Sequence, residues 1–465
     1  MALDAALFVA GSAVLVLGLL GGYVKNRLWI TETAICLIIG VAIGPAVFGL
    51  VDMANMPSDR FQVMKEVARL TLGLAVMGAA LRLPPRFEIT QWRDLSLSLV
   101  GGMTLMWGAG SALAYLILGL PLLPSLLLGA MLAPTDPVLA GSIVSGRSAI
   151  DSVPTRVRNV MSGESGANDG LGMLFVMLPI LLLTKDPQDA WVEWATQVFL
   201  WEILASVAIG AMIGWLIGRL LIWVYDQPFF ESQSTVTVGL ALSVTVLAAV
   251  SLMGSDGILA VFAAGLMFNR FISTRETRQG HAQEAMGRFF DLPVFILIGV
   301  MLPWGDWFTI GWPGLAFAIA LLFLRRPPFF FLLSRGMTCI RGWAESAFVG
   351  WFGPMGVASV YYSILADEKT GLQVFWPVAT LAVTVSALAH GISATPLSHW
   401  LGRFEDAAER RREAAEDGGQ DDDAAAPGSC RDEEAAPSPD PDGSPSAKES
   451  RGRAPERALS PSGSG

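Results

Sequence analysis

The sequence predicts an all-α membrane protein with about thirteen transmembrane helices. Three observations predict it. The chain of 465 residues is 53% hydrophobic, only 15% charged, and has a mean hydropathy of +0.52, far from the composition of soluble domains. Its apolar runs recur at about 20 residues, the length that crosses the hydrocarbon layer. Two of these runs are interrupted by proline and glycine at mid-membrane depth. The composition argues against a soluble enzyme, and the basic residues form no stripe that could bind nucleic acid.

Charged or Pro/Gly-marked breaks divide the apolar sequence into thirteen predicted spans. They are 3–22, 28–50, 63–83, 94–119, 124–146, 157–184, 192–224, 234–253, 256–272, 287–302, 310–333, 342–365 and 374–400. Lys and Arg concentrate in the loops after the odd-numbered spans and are sparse in the opposite loops. By the positive-inside rule this alternation predicts an external N-terminus and a cytoplasmic C-terminus in the cell membrane.

The chain divides into two predicted domains, a transmembrane domain over 1–403 and a tail over 404–465. The tail carries sixteen acidic and eight basic residues, which account for most of the net charge of −10, and is rich in Ser, Pro and Gly. Such a composition cannot bury a core, so we expect a disordered cytoplasmic tail, with a short charged helix over 405–416 at its start. An inert, solvated tail is favoured over a regulatory one.

The fifth span contains an acid between two prolines, Pro134-Thr135-Asp136-Pro137. Pro137 has no backbone N–H and its ring clashes with the preceding turn, so the helix is expected to break there. Exposed backbone at membrane depth is tolerated only beside protein or a water-filled cavity. Asp136 is therefore a candidate functional residue, with a plain helix cap as the alternative.

The sixth span carries a polar stretch over 162–170. Helical spacing places Ser165 one turn from Asp169, and Glu164 one turn from Asn168. Acids in the interior need a cationic partner, because an unpaired buried charge is costly. The eleventh span offers Arg325 and Arg326. Arg326 is the favoured partner of Glu164 since it directly precedes a proline, and a structural role is favoured for the pair.

The twelfth span contains a second interruption at Gly353 and Pro354. Because the fifth and twelfth spans differ in position by seven, an odd number, they cross the bilayer in opposite directions. This relation predicts inverted repeats made of helices 1–6 and 8–13, with helix 7 as connector. Two crossing broken helices at the midplane are typical of ion sites in secondary transporters, and the half-helix ends would offset charge at the crossing.

Taken together, these motifs resemble the sodium/proton exchanger family, which includes bacterial NhaP-type antiporters. The resemblance spans about residues 1–400 and is nearest to a fungal-like and bacterial subgroup with a Gly-Pro-Met-Gly motif. The matching segments are Thr135-Asp136-Pro137, the run 164–170, Arg326-Pro327, the run 351–356 and His390-Gly391. The resemblance implies a homodimer in the lipid bilayer that exchanges Na⁺ or Li⁺, sometimes K⁺, for H⁺ without a cofactor.

The resemblance also implies roles for individual residues. Asp169 would bind cation and proton alternately, and Asn168 would tie the two helices together. Asp136 and Thr135 would complete the Na⁺ site, with Ser165 as a further oxygen ligand, and Glu164 with Arg326 would form a buried ion pair. The Asn-Asp pair at 168–169 is associated with electroneutral exchange. One departure is Met355, where many members carry arginine.

The expected function is thus antiport, in which a proton and a cation compete for one carboxylate. Neighbouring acids resist simultaneous ionisation, and hydroxyl, carbonyl and carboxylate oxygens suit hard cations. The alternatives are a K⁺/H⁺ exchanger of the same fold, an intramembrane aspartyl protease with paired acids, and a sensor that does not transport. His390 is expected to be a packing residue rather than a pH sensor.

Overall fold

The computed structural model describes residues 29–51, 59–144, 147–225, 234–272 and 291–416, with a few positions between 8 and 27. All regular secondary structure in these residues is helical. The helices used below are α1 Glu32–Ile43, α2 Arg60–Arg82, α3 Trp92–Leu118, α4 Leu122–Met131, α5 Pro137–Val144, α6 Thr155–Thr184, α7 Pro187–Val224, α8 Ser234–Leu252, α9 Ile258–Ile272, α10 Asp291–Val300, α11 Trp304–Leu324, α12 Pro327–Leu333, α13 Gly342–Trp351, α14 Val357–Thr370 and α15 Phe375–Glu416.

The all-helical membrane fold is confirmed. Among the described residues, five helices are long and apolar enough to cross a bilayer by length and composition: Trp92–Leu118, Thr155–Thr184, Pro187–Val224, Trp304–Gly336 and Phe375–Arg410. Each predicted span from residue 28 onward contains helix. The number thirteen, the repeats and the sidedness stay predictions. Most of the first span and all of 417–465 lie outside the described residues.

Both predicted interruptions are present. α4 ends at Met131 and α5 begins at Pro137, with non-helical backbone between them. α13 ends at Trp351 and α14 begins at Val357. Proline explains the first restart, since its missing N–H is harmless in the first turn of a helix and its fixed φ suits a helix start.

Several helix ends differ from the prediction. The predicted span 28–50 contains only the twelve-residue α1, because Gly44 adopts an extended conformation ahead of Pro45. The eleventh span begins earlier, is kinked at Gly311 (φ +63°) and separates into α11 and α12 at Arg326. α15 continues to Glu416, which agrees with the predicted helix over 405–416, but this helix continues the last span without a break.

Small residues set the closest helix contacts. A Cβ at Gly210 or Gly214 of α7 would lie 2.1 Å from the carbonyl oxygen of Ala260 or Ala264 in α9. α6 and α9 meet in the same way, since a Cβ at Gly170 would lie 2.6 Å from the Cβ of Leu259. Glycine and alanine at these positions let the backbones approach closely, as in other membrane helix pairs. This packing holds the polar segment of α6 against its neighbours.

Candidate functional site

The two helix interruptions meet each other inside the protein. The backbone N–H of Asp136, between α4 and α5, donates a hydrogen bond of 2.9 Å to the carbonyl oxygen of Pro354, between α13 and α14. Both residues belong to segments that sequence reasoning placed at the midplane. The crossing therefore exposes four helix ends to one small, buried region, and each end carries backbone groups that need partners.

Asp136 occupies the amino ends of two half-helices at once. Its Oδ1 accepts hydrogen bonds from the backbone N–H groups of Val138 (2.7 Å) and Leu139 (3.2 Å) at the start of α5. Its Oδ2 accepts one from the N–H of Val357 (2.5 Å) at the start of α14. A carboxylate is well suited to the partial positive charge at a helix N-terminus. Asp136 thus does cap a helix, as the alternative interpretation expected, and it caps two helices rather than one.

Arg325 occupies the carboxyl ends of the other two half-helices. Its guanidinium donates to the carbonyl oxygens of Leu132, Ala133 (3.1 Å) and Pro134 (3.4 Å) after α4, and to that of Gly353 after α13. Arg325 is 2% exposed. These carbonyls carry the partial negative charge of the helix ends, so one buried cation offsets both.

Two glycines allow this close assembly. A Cβ at Gly356 would lie 1.7 Å from Asp136 Oδ2, and a Cβ at Gly353 would lie 2.1 Å from Cδ of Arg326. Neither position has room for a larger residue unless the crossing separates. Met355 between them is buried, and its backbone N–H donates to Ser386 Oγ at 2.9 Å. The glycines of the Gly-Pro-Met-Gly motif are therefore required by the approach of Asp136 and Arg326.

Asn168 of α6 is joined to Thr135 by two reciprocal hydrogen bonds. Its Nδ2 donates to Thr135 Oγ1 at 2.6 Å, and its Oδ1 accepts from the Thr135 backbone N–H at 3.3 Å. Both side chains are buried. The pair connects α6 to the first interruption and fixes the position of that interruption beside the polar stretch of α6.

Asp169 differs from every other acid of the crossing. Its side chain is 0% exposed, and neither carboxylate oxygen has a hydrogen-bond partner in the described part of the chain. The acids that act on it electrostatically are Asp136 and Asp256. Its backbone carbonyl accepts a hydrogen bond from the Tyr362 hydroxyl of α14. A buried carboxyl without partners is costly, and a proton or a bound cation is what relieves that cost.

Ser165 lies one turn before Asp169 on α6 and is 2% exposed. Its hydroxyl donates to the Ser162 carbonyl at 3.4 Å, which leaves the hydroxyl oxygen able to accept or to ligate. In the described residues, no group of three His, Cys, Asp or Glu side chains could hold a metal ion. Any cation here would depend on one or two carboxylates with hydroxyl and carbonyl oxygens.

Glu164 and Arg326 form a buried, bidentate ion pair. Arg326 Nη1 bonds to Glu164 Oε1, and Nη2 bonds to Oε2 at 2.9 Å. The same guanidinium donates through Nε to the Val349 carbonyl at 3.0 Å and lies 3.8 Å from the centroid of the Phe330 ring. The geometry therefore pairs Glu164 with Arg326 and leaves Arg325 to the helix ends.

His390 is held between two backbone carbonyls. Its Nε2 lies 2.9 Å from the carbonyl oxygen of Trp351, the last residue of α13, and its Nδ1 lies 2.8 Å from that of Ser386. It is 5% exposed. Both ring nitrogens thus lie at hydrogen-bond distance from a backbone carbonyl oxygen.

Sequence reasoning did not find the roles of Arg325 and Tyr362. Only one of two adjacent buried arginines could pair with Glu164, so the second needed other acceptors. The two helix breaks, with their free carbonyls, were the available signal. Tyr362 has no comparable signal, since an aromatic residue in an apolar span is ordinary.

Several named antiporters are similar to this chain. The Na(+)/H(+) antiporter 2 of Zygosaccharomyces rouxii is 29% identical over 418 residues, which cover 82% of this chain and 51% of the relative. The Na(+)/H(+) antiporter of Schizosaccharomyces pombe is 28% identical, with 85% and 90% covered. The K(+)/H(+) antiporter NhaP2 of Shewanella sp. (strain ANA-3) is 25% identical, with 83% and 66% covered. The match thus spans about half of the Zygosaccharomyces relative.

The fold also matches a solved structure. The sodium proton antiporter MjNhaP1 from Methanocaldococcus jannaschii superimposes with a TM-score of 0.62 at 18% identity, over 87% of this chain and 98% of that one. A family model described as "Sodium/hydrogen exchanger, transmembrane" matches residues 12–400, which is most of the chain. The chain therefore belongs to the sodium/hydrogen exchanger family.

Proposed function

We propose that this protein is an antiporter that exchanges Na⁺ or Li⁺ for H⁺ across the cell membrane by alternating access, one ion for one proton. The observation that carries the proposal is Asp169, a fully buried carboxylate whose two oxygens have no partner among the described residues. The other charged side chains described at the crossing, those of Asp136, Arg325, Glu164 and Arg326, have partners. One uncompensated negative charge accommodates one cation or one proton, and the two compete for it.

The neighbouring residues define what each step requires. Asp136 is engaged by three backbone N–H groups, so its negative charge offsets helix ends while it still attracts a cation towards Asp169. Thr135, held by Asn168, and Ser165 would add neutral oxygens that replace the hydration shell of a hard cation. Asn168 is neutral where a second acid would add a charge, which favours electroneutral exchange.

Glu164 and Arg326 are given a structural role. Their charges satisfy each other inside the protein, and breaking such a pair leaves an uncompensated buried charge. Alternating access would require one helical bundle to move against the other around the crossing. The pair would keep α6 and the start of α12 together during that movement.

K⁺/H⁺ exchange is the second candidate, since the Shewanella relatives are named K⁺/H⁺ antiporters. The site chemistry of oxygen ligands around one carboxylate suits either ion. Family membership favours transport over the aspartyl protease, which would also need a route for peptide to Asp136 and Asp169. We further propose a homodimer, in keeping with the resemblance, and a cytoplasmic tail over 404–465.

The test is purified protein in liposomes that contain a pH-sensitive dye, challenged with Na⁺, Li⁺ or K⁺, with and without a membrane potential. Addition of a transported cation should drive proton movement at a rate that the potential does not change. Asp169→Asn should abolish the cation-driven change in dye signal, and the variant should still elute as a folded protein in size-exclusion chromatography. Ser363→Ala serves as the control, because Ser363 is buried and its hydroxyl donates to the Val360 carbonyl within α14. Full exchange by Asp169→Asn would refute the assignment.

A further inference from the structure

A second acid without a full set of partners lies near Asp169. Asp256 occupies the turn between α8 and α9, with Gly254 (φ +81°) and Gly257 (φ +84°) on either side. A Cβ at Gly257 would lie 2.9 Å from the carbonyl oxygen of Leu247. Both glycines adopt a left-handed conformation that side chains disfavour. The turn is therefore folded back on α8, and this holds Asp256 at the start of α9.

The two oxygens of the Asp256 carboxylate differ, because one accepts a hydrogen bond from a side chain and the other does not. The Tyr361 hydroxyl of α14 donates to Oδ1 at 2.5 Å, and the Ile258 backbone N–H also faces the carboxylate. Oδ2 is buried without a hydrogen-bond partner in the described residues. The nearby Arg69 does not neutralise it by contact, because that guanidinium is bonded to Ser251 and Glu66.

Asp256 is connected to Asp169 through two packed elements. Leu259, in the first turn of α9, touches Gly170, the residue after Asp169. In α14, Tyr361 bonds to Asp256, and its neighbour Tyr362 bonds to the Asp169 carbonyl. The two carboxylates interact electrostatically. The two acids are thus linked to each other through α9 and α14.

The charges around Asp256 are mostly negative. Two acids, Glu202 of α7 and Glu66 of α2, interact with Asp256 electrostatically. The cation that interacts with it is Arg69. Lys369 acts on Glu202. The three carboxylates of Asp256, Glu202 and Glu66 outnumber the two cationic side chains, Arg69 and Lys369, and this excess of acids favours a cation there. On the predicted topology it lies towards the external face.

We propose that Asp256 is a second cation-binding carboxylate, which takes the monovalent cation on its passage between the external face and Asp169. The inference rests on the proposed antiport function. Oδ2 and the Tyr361 hydroxyl oxygen supply the hard oxygen ligands that such a cation prefers. The carboxylate also lowers the electrostatic energy of a cation at Asp169, so its loss weakens cation uptake without removing the carrier carboxylate.

The experiment measures initial exchange rates against Na⁺ concentration at alkaline pH in liposomes, where proton competition is weakest. Asp256→Asn should raise the KM for Na⁺ about tenfold, because one unit of negative charge that attracts the cation is lost, and kcat should change less than about twofold. Asp256→Glu should restore most of the affinity. Asp189→Asn removes an exposed acid in the first turn of α7, away from Asp256, and should leave the KM unchanged.

Tyr361→Phe keeps the charge of Asp256 but removes its orienting hydrogen bond, so a smaller rise in KM, about threefold, is expected. This variant decides the question if Asp256→Asn does not elute as a folded protein. Wild-type flux with an unchanged KM in the folded variants would overturn the role of Asp256 and leave antiport standing. Absence of cation-driven proton flux in the wild type would overturn both.

Discussion

Asp136 and Arg325 divide the four helix ends of the crossing between them. The Asp136 carboxylate accepts from the amino ends of α5 and α14, and the Arg325 guanidinium donates to the carbonyls after α4 and α13. One acid and one base therefore satisfy backbone groups that neither water nor lipid reaches. Asp169 belongs to neither pair of ends, and it is the carboxylate that exchanges its ligand in the antiport that we propose.

Replacing Asp136 by asparagine should damage both stability and transport. The amide has one oxygen for three N–H groups, and its NH₂ would face a donor. We expect the free energy of unfolding to fall by about 2–3 kcal/mol, measured by thermal or denaturant unfolding in detergent. Asp59→Asn is the matched control, because Asp59 caps α2 at an exposed position through the Phe61 N–H at 2.9 Å. It should change stability by less than about 0.5 kcal/mol.

Arg325→Met should be more harmful than Arg325→Lys. Methionine leaves the carbonyls of Leu132, Ala133 and Gly353 unsatisfied, at about 1 kcal/mol each. Lysine keeps the charge near the helix ends but lacks the planar fork that reaches several acceptors. Unfolding measurements should rank wild type above lysine and lysine above methionine. Equal stability of the three proteins would contradict the assignment of Arg325 to the helix ends.

The Glu164–Arg326 pair should show strong coupling in a double-mutant cycle. Glu164→Met leaves the Arg326 charge buried and should cost about 3–5 kcal/mol, whereas Glu164→Met with Arg326→Met should recover much of that loss. The exposed pair of Lys185 and Glu193 is the control, with coupling below about 1 kcal/mol. Additive effects at the buried pair would show that the two charges do not depend on each other.

Local chemistry made some features predictable from the sequence. Pro137 cannot donate a hydrogen bond and Pro354 follows a glycine, so the breaks could be placed without tertiary information. The need of a buried acid for a cation likewise led to Glu164 and Arg326. The predicted span 28–50 was too long because its composition stays apolar beyond Gly44, although Pro45 already disfavours helix at the residue before it.

Features that depend on distant segments could not be predicted in this way. Asp136 caps α14 only because the second interruption, more than 200 residues later in the chain, folds against it. Tyr362 and Asp256 approach Asp169 through α9 and α14 for the same reason. Sequence spacing describes one helix at a time, whereas these contacts are set by how helices pack.

Gly356→Ala should disrupt the crossing. The added Cβ would lie 1.7 Å from Asp136 Oδ2, so either the carboxylate leaves the two helix ends or α14 moves away. We expect loss of transport and a lower unfolding temperature. Gly305→Ala in α11 is the control, since a Cβ there meets no atom within 4 Å. A Gly356→Ala protein that transports normally would show that the crossing tolerates separation.

Asn168→Ala should loosen the connection between α6 and the first interruption. It removes both hydrogen bonds with Thr135 and leaves the buried hydroxyl and backbone N–H of Thr135 without these partners. This loss should lower the free energy of unfolding by about 2 kcal/mol. Because Thr135 is then no longer held by the residue next to Asp169, the KM for Na⁺ should rise along with the loss of stability. Ser363→Ala removes a buried hydroxyl whose bond to Val360 stays within α14, so it should leave the KM unchanged. If both variants have the KM of the wild type, the Thr135 oxygen does not belong to the cation site.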